Sequence, residues 1–177
     1  AFAHELKGMA LGDRHLLHQS LPHFLKGKAI RETLATTDSL QLHNSYKWLS
    51  IVYRELGAYK ESLEYAATAL SLLERHGGNP IQKSLIYQQM GVVYEYRGEP
   101  QRMLDCVLSA DSLLRKLSSV NPMLRTQNRS NFARSYAALG DSLLADSLYL
   151  SIIAELETQD DPETAVELCN ILHNYGI

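Results

Sequence analysis

An internal repeat with a period of 41 or 42 residues is the feature that most constrains this chain. Gly57, Gly98 and Gly140 mark equivalent places in three successive copies, and each follows a tyrosine by four residues. A small residue lies seven positions before each glycine, and a large apolar residue lies eight positions before it. Self-similarity at this period is typical of arrays in which short supersecondary units stack on their neighbours.

The columns around each glycine predict two amphipathic helices joined by a tight turn. The positions four, seven and eight residues before the glycine lie on one face of the first helix, and the positions five and twelve residues after it lie on one face of the second. A glycine at this junction can adopt the left-handed conformation that ends the first helix. The columns hold Leu49, Met90 and Phe132; Ser50, Gly91 and Ala133; Tyr53, Tyr94 and Tyr136; Ser62, Met103 and Ala145; and Ala69, Ala110 and Ile152.

Helix-start signals set the boundaries of the units. An asparagine that can cap a helix precedes a proline suited to the first helical position at Asn79-Pro80 and at Asn121-Pro122. Asp161-Pro162 has the same form, and Asp38-Ser39 is expected to open an earlier helix. The predicted units are a degenerate first unit at 1–37, repeats at 38–78, 79–120 and 121–160, and an incomplete unit at 161–177.

The two end units depart from the pattern. With a shift of 42 residues, Phe24 falls in the column of Ala66, Val107 and Tyr149, but His15 replaces the turn glycine and Pro22 falls within the second helix. End units of repeat arrays are often degenerate. The last helix pattern is still incomplete at Ile177, so we expect the chain to be part of a longer protein.

These columns resemble the tetratricopeptide repeat (TPR) family. That family's pattern has an aromatic residue, Leu-Gly and Tyr in the first helix, a Gly-x-Tyr turn, and Ala-x3-Phe-x2-Ala in the second. The resemblance implies an all-α fold, a right-handed α-α superhelix of antiparallel helix pairs, as a single array over 1–177. Its best copy is Tyr46-x2-Leu49-Ser50-x2-Tyr53-x3-Gly57-x-Tyr59, followed by Ser62-x3-Ala66-x2-Ala69.

The period is longer than the usual TPR unit. Seven or eight extra residues would lengthen each helix by about one turn, roughly 5.4 Å. This length is similar to the repeats of kinesin light chains and of bacterial peptide-pheromone receptors. Four Asp-Ser-Leu triplets, which begin at 38, 111, 141 and 146, favour a bacterial origin.

The resemblance implies a peptide-binding groove along the first helices of the units. The groove positions lie off the packing columns, and they are apolar toward the N-terminus and polar toward the C-terminus. A groove tryptophan or arginine would suit an interface hot spot. The predicted groove residues are Phe2, Leu6 and Met9; Lys47, Trp48, Ile51 and Arg54; Gln88, Gln89, Val92 and Tyr96; and Gln127, Asn131 and Arg134.

Each groove residue also has a simpler interpretation. Trp48 could pack against its own scaffold, and Lys47 and Arg54 could belong to an ordinary solvated face. The polar groove residues could hydrogen-bond a peptide backbone or be plain surface. A carboxylate clamp of the kind some TPR proteins use is not expected, because Ile51 and Gln89 stand where clamp asparagines would be.

Composition and motifs argue against several function classes. With 17 basic and 20 acidic residues and a net charge of -3, the chain shows no electrostatic pattern for nucleic acid or an anionic membrane. No apolar run approaches the ~20 residues of a membrane span. Cys106 and Cys169 do not form a disulfide framework.

No catalytic, cofactor or metal motif is expected either. The sequence lacks a phosphate loop, Gly-x-Ser-x-Gly and Gly-x-Gly-x2-Gly. The cluster of His4, His15, His18 and His23 has no accompanying zinc-ligand motif. The acidic residues between Glu155 and Glu163 fit a helix end, a loop and the next helix start, where the dipole favours acids.

The sequence therefore predicts a non-enzymatic scaffold that binds a protein or peptide, as the sensor or adaptor region of a longer regulator. The alternative is a structural module that self-associates or docks a neighbouring domain of the same chain.

Overall fold

A computed structural model describes residue 4, residues 17–159 and residues 162–176, with all of their side chains except those of residues 35–40 and 163. Every regular element in these ranges is an α-helix. Short connections link successive helices, which is the arrangement expected of helical hairpins. The helices are α1 (Leu17–Thr33), α2 (Ala35–Glu55), α3 (Tyr59–Arg75), α4 (Pro80–Tyr96), α5 (Pro100–Leu114), α6 (Pro122–Ala138), α7 (Ser142–Leu156) and α8 (Pro162–Tyr175).

The three repeat glycines end α2, α4 and α6 in the way the sequence predicts. Their φ angles are 74°, 67° and 87° for Gly57, Gly98 and Gly140, in the left-handed region that favours glycine. In each turn the N–H of the residue after the glycine donates to the carbonyl of the column tyrosine, at 2.9 Å in all three copies. This is the six-to-one bond of a Schellman motif, so one turn geometry repeats along the chain.

The predicted asparagine caps are confirmed. The Oδ1 atoms of Asn79 and Asn121 accept hydrogen bonds from the N–H groups of Ile81 and Met123, each at 2.8 Å. Asp161 lies outside the described residues, and α8 begins at Pro162 as expected.

The expected start of α2 at Asp38-Ser39 is wrong, because the helix begins one turn earlier at Ala35. Only Leu34 separates it from α1, and no side chain caps that junction. Alanine has the highest helix propensity, so the helix can extend upstream past the Asp-Ser signal.

Contacts divide the chain into two compact units, at 1–93 and at 94–177. In the first unit, α1 packs on α2 and α2 packs on α3. One buried cluster joins Phe24, Leu49 and Val52, which confirms that Phe24 belongs to a packing column. A second cluster joins Ala66, Ala69, Leu73 and Ile86. The small residues Ser50 and Ser62 allow α2 and α3 to approach closely, and the Ser62 hydroxyl donates to the Ser50 carbonyl at 2.7 Å.

In the second unit, α6 packs on α5 and α7, and α8 packs on α7 and α6. Its core lies between α6, α7 and α8, where the column residues Ala133, Ala145 and Ile152 are buried and Phe132 and Tyr136 are half-buried. The buried core residues are Ala133, Tyr149, Ile152, Ile153, Leu156 and Ile171. The unit boundaries and the single array predicted from the sequence stay predictions.

Candidate functional site

In the first unit, the predicted groove residues of α2 are all half-buried. The Trp48 ring stacks on Phe24 of α1, with centroids 6.1 Å apart, and the Lys47 ammonium lies 5.0 Å from the centroid of the Trp48 ring. Burial lowers the pKa of Lys47 below its usual value. Trp48 therefore packs partly into its own scaffold and keeps part of its surface open.

Arg54 and Ile51 continue the same α2 surface. The Arg54 guanidinium donates to Glu55 Oε1 from Nε at 2.9 Å and from Nη2 at 2.6 Å. An arginine engaged by its chain neighbour must give up that contact, or share it, to bind another carboxylate.

The α4 positions differ in accessibility. Gln88 is only 8% exposed, so its side chain is poorly placed to meet a partner. Gln89 and Val92 are half-buried, and Tyr96 is exposed. The Oε1 atom of Gln89 is buried and accepts no hydrogen bond from the described part of the chain. Phe2, Leu6 and Met9 lie outside the described residues.

In the second unit, two of the predicted residues meet a third that the sequence analysis missed. Arg134 of α6 donates to Glu95 Oε1 from Nε at 3.0 Å and to Glu95 Oε2 from Nη2. Its Nη1 also donates to Asn131 Oδ1 at 3.4 Å. The neighbouring groove position, Gln127, is exposed.

This ion pair lines a cleft of about 470 Å³ among the ends of α4, α6, α7 and α8. We call it the Asp146 cleft. Its polar and aromatic walls consist of Glu95, Arg134, Asp146, Tyr149, His173, Asn174 and Tyr175. All of these residues belong to the second unit.

Asp146 stands in a column that the other repeats fill with leucine. It follows its turn glycine by six residues, as Leu63 and Leu104 follow theirs. Leu104 is 9% exposed and Leu63 is half-buried, so the column belongs to the packed side of the second helix. Leucine favours burial, whereas a carboxylate there gives up apolar packing, and such departures concentrate at functional sites.

Two tyrosines form the aromatic wall of the cleft. Tyr149 is buried, and its ring stacks on that of Tyr175 with centroids 5.1 Å apart. Burial raises the pKa of Tyr149. The pKa of Tyr175 is also raised, by loss of hydration and by the neighbouring carboxylate of Asp146. Tyr149 occupies the column of Ala66 and Val107, so among the three clear repeats only this one has an aromatic residue there, as the degenerate first unit has with Phe24.

Sequence reasoning found Arg134 and Asn131 but missed Glu95, Asp146 and the residues of α8. One signal was available, namely the aspartate in a column of leucines. The contact between Glu95 and Arg134 had no such signal, because the two residues occupy different columns in successive repeats.

The histidines and acids form no further site in the described part of the chain. The ring of His4 stacks on that of His23 at 5.8 Å, and His18 is exposed, whereas His15 lies outside the described residues. No group of three or more histidine, cysteine or acidic side chains in the described ranges could hold a metal ion. The acidic stretch spans the end of α7 and the start of α8, as predicted.

None of the described helices combines the length and apolar character needed to cross a membrane.

Solved structures share this architecture. A kinesin light chain-like protein of nearly identical TPR-like repeats from Podosopora anserina superposes with a TM-score of 0.72 at 16% identity, over 98% of this chain and 86% of that one. A glutamine-to-methionine variant of that protein gives a TM-score of 0.73 at 16% identity, over 98% and 85% of the two chains. The chain has a TPR-like repeat fold. The predicted all-α solenoid of antiparallel helix pairs is thereby confirmed.

A third structure with this TPR-like fold is BtubC (BKLC) from P. vanneervenii. It matches with a TM-score of 0.70 at 18% identity, over 84% of this chain and 63% of that one. The sequence itself matches no protein-family model and no curated protein. TPR-like repeats generally serve as scaffolds for protein interaction, because stacked hairpins present extended binding surfaces.

Proposed function

We propose that this chain is a non-catalytic scaffold that binds a segment of another polypeptide, and that the Asp146 cleft is its principal contact site. The observation that carries the proposal is a polar, partly open cleft at Asp146, a position at which the other two repeats have leucine. Clefts with a few convergent polar groups and apolar walls are the usual sites of ligand capture.

The geometry of the cleft supports recognition. The Arg134–Glu95 pair is held by two hydrogen bonds, and the Tyr149–Tyr175 stack orders the aromatic wall. Side chains that are already ordered lose little conformational entropy when a partner arrives. The cleft is therefore preorganised for a side chain of a bound polypeptide.

The α2 surface of the first unit supports a second, independent contact. Trp48 is the only tryptophan, and its ring stacks on Phe24 and lies close to the Lys47 ammonium. A rigid, partly exposed aromatic residue is a frequent anchor at protein interfaces.

A non-catalytic role fits the chemistry of the cleft. Both Glu95 oxygens accept hydrogen bonds from Arg134. A carboxylate engaged through both oxygens is a poor general base, because proton abstraction needs a free oxygen within reach of the substrate.

A steric block tests the proposal without changing charge. Ala137 lines the cleft and is exposed, whereas the neighbouring Ala138 is also exposed on α6 and lies outside the cleft lining. Peptides selected from a random display library on the parent protein should bind Ala138→Gln as they bind the parent. They should bind Ala137→Gln at least about tenfold more weakly, a difference of about 1.4 kcal/mol. Equal binding to both variants would place the contact elsewhere.

Self-association is a second candidate function, favoured by an exposed apolar strip on α7. Leu143 is 85% exposed, and Leu150 lies two turns further along the same helix face and is also exposed. Exposed apolar patches often mark interaction sites. Sedimentation velocity over a wide concentration range tests it. Association that Leu143→Glu and Leu150→Glu abolish supports this candidate, and a parent protein that stays monomeric removes it.

A further inference from the structure

We infer that the Asp146 cleft accepts a cationic side chain, lysine or arginine, from the bound polypeptide. This inference names the chemistry of the partner and rests on the proposed function. It follows from the distribution of charge in the cleft, from its aromatic wall and from the charge of the unit that carries it.

The charges in the cleft leave one carboxylate without a cation. Arg134 is engaged by Glu95 through two hydrogen bonds, so the two charges largely cancel. Asp146 lines the cleft beside the uncharged phenol of Tyr175, and no basic side chain in the described part of the chain forms an ion pair with it. An acidic ligand would meet an uncompensated carboxylate, whereas a cation would neutralise it.

The aromatic wall also favours a cation. The Tyr149–Tyr175 stack lines the cleft together with Asp146. An ammonium or guanidinium group is attracted to the face of a tyrosine ring by about 0.5–1 kcal/mol, and more when water is excluded. A cation at Asp146 could thus contact a carboxylate and an aromatic face together.

Size and placement are compatible with one long side chain. The cleft holds about 470 Å³, which exceeds the volume of an arginine side chain and leaves room for ordered water. A flexible basic side chain can pack its aliphatic part along apolar walls while its charged end stays near a carboxylate.

The second unit carries the complementary overall charge. Residues 94–177 contain twelve acidic and seven basic side chains, whereas residues 1–93 contain eight acidic and ten basic ones. The formal charge is therefore -5 in the unit with the cleft and +2 in the other. A field of this sign steers basic segments toward the second unit.

A small probe tests the cation site directly. The ¹H–¹⁵N spectrum of the parent chain is titrated with N-acetyl-arginine amide, and separately with the uncharged isostere N-acetyl-citrulline amide. We expect the arginine probe to shift the amide signals of residues 146–149 and 173–176, and the citrulline probe to leave them unchanged. Equal shifts with both probes, or shifts confined to other residues, would overturn the inference.

Two variants complete the experiment. Asp146→Asn preserves the shape of the side chain and removes its charge. We expect it to weaken binding of the arginine probe about tenfold, which is the magnitude expected for the loss of a hydrogen bond to a charged group. Asp105→Asn is the matched control, since Asp105 is exposed on α5 outside the cleft, and it should bind the probe as the parent does. Unchanged probe binding by Asp146→Asn would also overturn the inference.

The failure of this inference is distinguishable from that of the proposed function. Library peptides could bind the parent and bind Ala137→Gln more weakly, while Asp146→Asn binds the arginine probe as the parent does. In that case the cleft binds polypeptide but has no preference for a cation. If the library yields no binder while the arginine probe behaves as expected, the scaffold proposal fails and the cation site stands.

Discussion

Replacing Asp146 by leucine should stabilise the fold while it removes the binding site. Asp146 occupies a column in which Leu104 is 9% exposed and Leu63 is half-buried. Full burial of a leucine side chain contributes about 1.5–3 kcal/mol. Since position 146 is half-buried, about half of this range applies.

The net expectation for Asp146→Leu is a gain of about 1 kcal/mol in the free energy of unfolding. For a chain of this length, that gain raises the melting temperature by about 2–4 °C. Thermal unfolding followed by circular dichroism at constant pH measures it. The Tyr175 pKa should fall toward its ordinary value in the same variant, because the neighbouring carboxylate is gone.

Two further substitutions control for the mechanism. Asp146→Asn keeps a polar side chain of the same shape and should change the melting temperature little. Leu104→Asp places a carboxylate at the equivalent buried position of the previous repeat, so it should lower stability by more than the about 1.5–3 kcal/mol of the lost burial. A lower melting temperature for Asp146→Leu would refute the view that this position sacrifices packing for a site.

Three other measurements test the scaffold itself. Gly98→Ala should lower stability by about 1 kcal/mol in urea unfolding, because alanine is strained at φ 67°, and an unchanged midpoint would contradict the turn geometry. The Tyr46 hydroxyl donates to Glu32 at 2.6 Å. Burial, and to a smaller extent this carboxylate, raises the pKa of Tyr46 above its ordinary value of 10. The uncharged tyrosine therefore stabilises the fold below pH 10, and this contribution is lost as the pH rises further. Tyr46→Phe should flatten that alkaline loss. Cys169 should react with a thiol reagent in the native protein, whereas Cys106, buried and with a pKa raised to about 11, should react only on unfolding.

The sequence was most informative where one geometry repeats. The glycine turns and the apolar columns recur three times, so each copy supports the others, and the structure confirms the turn conformations and the burial of the small residues Ser50 and Ala133. The start signal at Asp38-Ser39 had no such support from other copies. The helix begins at Ala35 and continues past this pair.

The site was predictable only in part. The periodicity of the sequence assigns a residue to a helix face, but it does not show which other residues its side chain contacts. Gln88 shares a column with Lys47, and this column borders the small residues that pack between paired helices. Gln88 is nevertheless buried while Lys47 is half-buried, so membership of one column does not fix the exposure of a side chain. Arg134 lines the Asp146 cleft, but its partner Glu95 lies 39 residues earlier, and their contact follows from side-chain length rather than from spacing.

Hydrogen exchange of the protein with and without a library-selected peptide tests the central claim most directly. We predict that the peptide protects amides around the Asp146 cleft, at the end of α4, in the C-terminal half of α6 and at residues 172–175 of α8. Asp146→Leu should remove this protection while it leaves the exchange of the rest of the fold unchanged. Protection confined to the outer face of α7 around Leu143, or protection that survives Asp146→Leu, would contradict the assignment of the Asp146 cleft as the contact site.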